Sequence, residues 1–330
     1  MKAAFIHETG PAEKIIYGDL PVPEPSGSQV RLKVGAVSVN PIDTYIRAGL
    51  VPFNLPKPFV VGCDVAGVVE AVGPEVKTLR VGDRVWGTNQ GVLGRPGTFA
   101  EQIVVDECWL YKTPANVKDE DAAAIALVGI TAHLGLFREA KLQAGETIFV
   151  RGGTGGVGSM VVQMAKAVGA RVITTAGSPE KAALARELGA EHVIEYRAQK
   201  LDEELKKLAP AGVQVWWETL REPDFDLAVA NLASRGRMVL MAGREARPPF
   251  PVGPFYVKGC SLYGFVMFAA HPDEQRQCSV DINRWLAEGK LKSRIDRILP
   301  LSQTAEAHRL QEESTVQKSG ALGGKIVLKP

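Results

Sequence analysis

Apolar positions in roughly the first 119 residues fall in short runs, at 30–39, 65–72, 81–86 and 100–105. Turns rich in glycine and proline cut them apart at 21–27, 73–74, 82–83 and 94–97. Runs of that length between such breakers predict β-strands. Residues 1–8 read as a first strand, too short in apolar length for a signal peptide.

From about residue 120 the periodicity changes. Strand patterns at 147–150, 171–175, 192–194, 213–217, 237–242 and 261–267 alternate with helical ones at 159–168, 179–188, 198–208 and 223–231. That alternation predicts an α/β domain built on a doubly wound parallel sheet. The most apolar stretch, 122–137, is interrupted by Thr131 and His133; it is shorter than a membrane span and reads as a buried helix. Amphipathic patterns at 273–288 and 303–313 predict two helices, and 324–328 a last strand. The tail is expected to rejoin the first domain. The expected division is therefore a β-rich domain from 1–119 and 269–330 and a nucleotide-binding domain from 120–268, with a cleft between them.

One turn carries specific chemistry. Gly152-Gly153-Thr154-Gly155-Gly156-Val157-Gly158 follows the β-prone run Thr147-Ile148-Phe149-Val150 and precedes a stretch with Val161, Val162, Ala165 and Val168 at helical spacing. Strand, glycine turn and helix is the context that a dinucleotide-binding G-x-G-x-x-G requires, here Gly153, Gly155 and Gly158. The first glycine permits the turn, the second admits a pyrophosphate and the third lets helix and strand pack closely. The helix N-terminus supplies N–H groups to the anion.

Composition narrows the partners. The 330 residues are 45% hydrophobic and 23% charged, ordinary for a globular protein. With 39 basic and 37 acidic residues the net charge is +2, which gives no reason to expect nucleic acid or a membrane surface. Cys63, Cys108, Cys260 and Cys278 are scattered without a C-x-x-C, so neither a disulfide framework nor a zinc module is indicated, and a reducing cytoplasm is expected. His7, His133, His192, His271 and His308 show no spacing for metal ligation or a catalytic triad. No G-x-S-x-G is present to support hydrolase chemistry.

Taken in order, the motifs resemble the medium-chain dehydrogenase/reductase family, and within it the zinc-independent quinone oxidoreductases of the ζ-crystallin branch. The resemblance runs end to end. It includes Asn40-Pro41-Ile42-Asp43-Thr44-Tyr45-Ile46-Arg47-Ala48-Gly49, Gly62-Cys63-Asp64-Val65-Ala66-Gly67-Val68-Val69 and Val81-Gly82-Asp83-Arg84-Val85. It continues through Gly129-Ile130-Thr131-Ala132, the glycine turn, Thr175-Ala176-Gly177-Ser178 and Gly324-Lys325-Ile326-Val327-Leu328. The fold it implies is a GroES-like β-rich catalytic domain, closed by the tail, with an inserted Rossmann domain. Alcohol-dehydrogenase members of the family hold catalytic zinc with a cysteine, a histidine and a further cysteine. The matching positions here are Asn40, Cys63 and Leu127, of which only Cys63 is of ligand type, and the stretch 88–108 has just Cys108 for a structural zinc. No metal is expected. Without a Lewis acid, hydride delivery to an electron-poor acceptor stays feasible. A quinone or an α,β-unsaturated carbonyl is such an acceptor.

Cofactor choice turns on the end of the second Rossmann strand. NAD enzymes place a carboxylate there for the ribose 2′-hydroxyl, whereas this chain has Ala176-Gly177-Ser178, with Glu180 already inside the next helix. Ser178 and Lys181 suit a 2′-phosphate by hydrogen bond and by charge, although Lys181 could equally be a solvated helix charge. The resemblance adds Tyr196, with Arg197 a less certain neighbour. NADPH is the expected cofactor.

Asn40 offers an amide to the nicotinamide ribose or to a substrate oxygen. Asp43 is either catalytic or structural, capping the segment that follows or pairing with Arg47. Tyr45 is a candidate hydrogen-bond donor to a substrate oxygen that becomes anionic; the other reading is a core tyrosine. The resemblance implies further cofactor contacts at Thr131, Thr154, Gly156, Val157, Gly243, Phe265, Val266, Met267 and Lys325. A helix threonine bonded to its own backbone and an exposed tail lysine are the plainer readings of Thr131 and Lys325. It also implies a homo-oligomer, dimer or tetramer, paired through the strand near 261–268. The expected activity is NADPH-dependent, zinc-free quinone reduction. The rivals are reduction of enals, enones or enoyl thioesters and, in another class, a crystallin-like or RNA-binding protein that binds NADPH with little turnover.

Overall fold

The computed structural model describes residues 1–51, 53–316 and 322–330. The chain before residue 113 forms β1 (Lys2–Ile6), β2 (Ile16–Asp19), β3 (Gln29–Ser38), the short helix α1 (Pro41–Arg47), β4 (Phe59–Val60), β5 (Val65–Val72), β6 (Arg84–Gly87), β7 (Gln102–Asp106) and β8 (Leu110–Lys112). β1 lies antiparallel between β2 and β4. β3 is the hub of a larger sheet, antiparallel to both β5 and β7, with β6 and β8 beyond β5. Its pattern has period two: Val30, Leu32 and Val34 are buried, while Lys33 between them is exposed. The sequence pattern starts β6 at 81, three residues too early. Gly82 has φ +90°, and this turn has to close before an extended strand can begin.

Next comes α2 (Asp119–His133), which continues as a π-helical segment, Leu134–Glu139. Together they make 21 residues, longer than the apolar pattern suggests and long enough to cross a membrane, yet 78% of the apolar window is buried within the protein. Gly135 is where it packs tightly: a Cβ there would stand 2.3 Å from the Trp217 ring.

Beyond it, β9 (Thr147–Val150), α3 (Gly156–Ala167), β10 (Arg171–Ala176), α4 (Pro179–Glu187), β11 (His192–Glu195), α5 (Leu201–Leu208), β12 (Val213–Glu218), α6 (Phe225–Asn231), β13 (Leu232–Leu240), α7 (Val252–Val257) and β14 (Ser261–Gly264) alternate. The strands build one parallel sheet in the order β11-β10-β9-β12-β13-β14. Counting from β9, this is the 3-2-1-4-5-6 order of dinucleotide-binding folds. One face of the sheet is sealed by Phe149, Ile173, Trp216 and Met238 against Leu205, Phe225 and Ala228. β13 starts five residues before the expected 237 and ends before 242, because it pairs with β12 from Val213↔Leu232, through a bulge, to Glu218↔Leu240. β14 stops at Gly264, short of the expected 267, where its partner β13 stops.

Finally α8 (Pro272–Ala287), β15 (Ile295–Pro300), α9 (Thr304–Thr315) and β16 (Lys325–Lys329) complete the chain. β16 lies parallel to β15 and antiparallel to β3. The two units are accordingly Met1–Val128 with Ala270–Pro330, and Gly129–Ala269.

Candidate functional site

In the Rossmann unit, the loops at the carboxyl ends of the parallel strands gather most of the expected nucleotide positions. The glycine turn follows β9. Gly152 has φ +77°, and its N–H and that of Gly153 donate to the Thr175 and Thr174 hydroxyls at 3.1 and 3.0 Å. Added Cβ atoms separate the glycines by purpose. At Gly153 a Cβ would meet Thr174 Oγ1 at 2.3 Å, and at Gly158 the Gly152 carbonyl at 2.2 Å, so both are required by packing. At Gly155 the nearest atom would be 3.4 Å away. Gly155 is the N-cap of α3, and it and Gly156 are exposed, with Thr154 and Val157 half-buried beside them. The turn is therefore an open cradle of backbone N–H groups at a helix N-terminus, and its residues fit a dinucleotide pyrophosphate.

The loop after β10 adds Gly177 and Ser178. A Cβ on Gly177 would stand 2.5 Å from the Tyr196 hydroxyl, so this glycine admits the tyrosine that follows β11. Ser178 caps α4 by accepting the Lys181 N–H at 3.3 Å. Its hydroxyl also bonds Glu180 and holds that carboxyl below its usual range. Lys181 is exposed and Tyr196 half-exposed. No carboxylate ends β10, but Glu180 is nearer to Ser178 than its place inside the helix suggests.

After β13, Gly243 has φ +82°, and a Cβ there would meet the Arg221 carbonyl at 2.5 Å. After β14, Met267 is buried, Val266 is 55% exposed and the Phe265 ring lies under the Arg138 guanidinium. Thr131 is buried on α2. One residue that sequence reasoning missed is Glu218, wholly buried at the end of β12, which accepts the Trp216 indole N–H and the Leu220 N–H. Burial raises its carboxyl above the usual range. Its signal is an acid closing the apolar run Val213-Gln214-Val215-Trp216-Trp217.

The other unit holds a compact buried polar cluster. β3 ends at Ser38 and α1 begins after Asn40, so the sheet's central strand delivers Asn40 to the start of a helix. Asp43 Oδ2 accepts the Asn40 N–H at 2.7 Å, the reciprocal half of a capping box. Asn40 Nδ2 donates to Asp64 Oδ2 at 2.7 Å, and Asn40 Oδ1 accepts from Lys325 Nζ, which also donates to the Val39 carbonyl at 2.8 Å. Asp64 further accepts from the Ser38 hydroxyl at 2.8 Å and the Leu127 N–H at 3.1 Å. Lys325 is thus buried, not the exposed tail lysine of the plainer reading. Arg47 does not pair with Asp43; it bonds Glu312 and the Gly10 carbonyl. Tyr45 is half-buried on α1.

Burial governs the charges. It lifts the Asp43 carboxyl to about 7, against the opposing pull of the adjacent Cys63 thiol, and Asp64 adds to the rise. Asp64 is raised by burial and held back by Lys325, while Lys325 is lowered by burial and supported by Asp64 and Asp43. The Cys63 thiol is pushed well up by burial and by Asp43, so it stays protonated. These residues do not fit zinc. The Asn40 amide is engaged at both ends, Leu127 offers only its backbone, Cys63 is a thiol and a lysine cation already stands in the cluster. Among the described residues no three His, Cys, Asp or Glu side chains form a ligand set elsewhere. Asp64 went unrecognised in the sequence because Gly62-Cys63-Asp64-Val65-Ala66-Gly67 draws attention to its glycines and cysteine.

Known proteins match along the whole chain. Residues 26–115 match the alcohol dehydrogenase GroES-like domain and residues 156–282 the zinc-binding dehydrogenase model. Pig (Sus scrofa) quinone oxidoreductase is 33% identical over 97% of this chain and 94% of its own length. A 2-haloacrylate reductase from a Burkholderia species is 30% identical over 93% and 94%. Among solved structures, an NAD-dependent alcohol dehydrogenase superposes with a TM-score of 0.89 at 31% identity, covering 100% of both chains. A mycobacterial protein complexed with NADPH gives 0.85 at 30% identity, again over 100% of both. With a GroES-like unit, a Rossmann unit in the dinucleotide strand order and full-length identity of this size, the chain is an oxidoreductase that belongs to the quinone oxidoreductase family of the medium-chain dehydrogenases/reductases.

Proposed function

We propose that this enzyme is an NADPH-dependent, zinc-free reductase of quinones. The observation that carries the reading is the Lys325–Asn40–Asp64 network, which engages Asn40 and the Leu127 N–H, two of the three positions (Asn40, Cys63 and Leu127) that match the catalytic zinc ligands of alcohol-dehydrogenase relatives, and whose groups do not suit that metal. NADPH, with its pyrophosphate at the glycine turn, would supply a hydride, and an acceptor that is already electron-poor needs no Lewis acid to take it. The open Gly155–Gly156 cradle holds the pyrophosphate, and Ser178, Lys181 and Tyr196 recognise the 2′-phosphate, with Ser178 releasing Glu180 to do so. The NADPH complex of the mycobacterial relative supports this choice over NADH, and the NAD-dependent structural neighbour makes it worth testing. Asn40 is wholly buried with both ends of its amide engaged, so it anchors the strand-to-helix turn rather than offering its amide to the ribose or the substrate. Tyr45 donates a hydrogen bond to the oxygen that gains charge. Asp43 belongs to the scaffold, capping α1. Thr131, Gly243, Phe265, Val266 and Met267 complete the nucleotide surface.

The protein acts as a homo-oligomer in a reducing cytoplasm. Leu262 on the edge strand β14 and Val252, Tyr256 and Val257 on α7 are all exposed, an apolar edge that pairing would cover.

The deciding experiment follows NADPH oxidation by chelator-treated protein with 9,10-phenanthrenequinone and a simple enone in parallel. Quinone turnover that survives chelation, with NADH much poorer, is the expected result. Turnover of the enone alone would replace quinones with activated alkenes, the substrate type in the name of the haloacrylate relative. Tight NADPH binding without turnover of either would make this a binding protein.

A further inference from the structure

Recognition of the 2′-phosphate turns on a single proton. Ser178 caps α4, and its hydroxyl oxygen accepts the Lys181 N–H at 3.3 Å. Its O–H donates to the Glu180 carboxyl, and this bond, with Glu180's own backbone N–H, holds that acid below its usual range. A serine hydroxyl has one proton to donate. While Glu180 takes it, Ser178 has none for a phosphate oxygen.

Charge works in the same direction. Glu180 and Lys181 are exposed on the first turn of α4, and among the described residues neither has an ion pair. Lys181 attracts a phosphate and Glu180 repels it. Two oxygens that share one hydroxyl stand no more than about 5.4 Å apart, twice a hydrogen bond of about 2.7 Å. That is inside the roughly 8 Å over which salt screens at physiological ionic strength, so the repulsion reaches the phosphate. A ribose 2′-hydroxyl, in contrast, is a donor, and a carboxylate at this end of the second Rossmann strand suits it. Tyr196, whose hydroxyl lies 2.5 Å from where a Cβ of Gly177 would be, is neutral and favours neither.

We infer that Glu180 is a selectivity residue that opposes the 2′-phosphate. By holding the Ser178 proton, and by its charge, it keeps the NADPH preference below what Ser178, Lys181 and Tyr196 would give without it, a role that rests on those three being the 2′-phosphate contacts. An acid that served α4 alone, by favouring the positive end of the helix dipole, would affect stability and leave cofactor choice untouched.

Calorimetry on the intact enzyme, E180Q, S178A and the double variant tests this, with NADPH, NADH, adenosine 2′,5′-bisphosphate and AMP as ligands. E180Q should bind NADPH and the bisphosphate about fivefold more tightly than wild type. It should bind NADH and AMP no more tightly. In the S178A background the same substitution should gain less, because the contested hydroxyl is gone. Suppose the wild type prefers the bisphosphate to AMP. Unchanged NADPH binding in E180Q, equal tightening of NADPH and NADH, or a full gain in the S178A background would then each overturn the inference and leave the NADPH reading standing. A lower Tm for E180Q with all four affinities unchanged would assign Glu180 to the helix and overturn it as well. If neither wild type nor E180Q distinguishes the bisphosphate from AMP, the 2′-phosphate reading fails and the role of Glu180 with it.

Discussion

At the scale of single residues, the polar cluster under α1 was half legible. Asn40 and Asp43 stand out as polar residues at a strand-to-helix turn, but their partners come from far along the chain, and only folding brings Lys325 to Asn40. Nor does composition say that Asp64 and Lys325 are both buried. Because they are, removing one partner strands the other. Lys325→Met should cost about 3–5 kcal/mol, the range for leaving a buried charge without its neighbouring counter-charge, and adding Asp64→Asn should return part of it; urea unfolding of the single and double variants measures both. His308, which sequence treated as structural, is fully buried with neither ring nitrogen hydrogen-bonded among the described residues. Burial, helped by Arg47, lowers it to about 3 from 6.5. Its folded form resists protonation, so stability falls as pH drops below about 6.5 and continues to fall toward 3. His308→Leu should be no less stable than wild type at pH 8 and about 2 kcal/mol more stable relative to it at pH 5, read from denaturant midpoints at both pH values. Asp43 works in the opposite sense: its raised carboxyl stabilises below the usual carboxylate range, and that contribution is lost as pH rises through about 7. The wild-type pH profile is the sum, and the H308L difference isolates the histidine.

At the scale of elements, local periodicity was enough wherever a strand or helix is decided by its own residues. It failed where a neighbour decides. β15 has Arg297 half-buried and Ile298 exposed, the reverse of a legible alternation, because its place is set by pairing with β16. α7 is six residues among Pro248, Pro249, Pro251 and Pro254, a stretch for which the sequence pattern predicts no element. The glycine turn shows what sequence could and could not say. Three glycines were recognised and given separate roles, but not the atoms a side chain would strike, Thr174 Oγ1 at Gly153 and the Gly152 carbonyl at Gly158. Gly158→Ala should lower Tm by several degrees, since its methyl meets the Gly152 carbonyl. Gly155→Ala should leave Tm within about a degree of wild type and weaken NADPH binding tenfold or more, by calorimetry. If both variants lose stability alike, Gly155 is a packing glycine and the cradle reading fails.

On the scale of the whole molecule, the apolar edge formed by α7 and β14 bears on assembly. Leu262→Arg places a charge on the exposed side of the edge strand and should shift the protein toward monomer in light scattering, without lowering its Tm by more than a few degrees. An unchanged mass would move the contact elsewhere. The split of the GroES-like unit into Met1–Val128 and Ala270–Pro330 has its own consequence, for synthesis. A chain emerging from the ribosome completes the Rossmann unit while β3 still lacks β16, and Asn40 waits 285 residues for its lysine. During that interval a paired edge of β3 is open, and two acids are buried or poised to be buried without their cation. Premature termination between Ala270 and Lys325 should therefore yield a nucleotide-binding half attached to an unfinished, aggregation-prone one. The last strand to be made is the one that takes its place beside β3, the hub of the larger sheet.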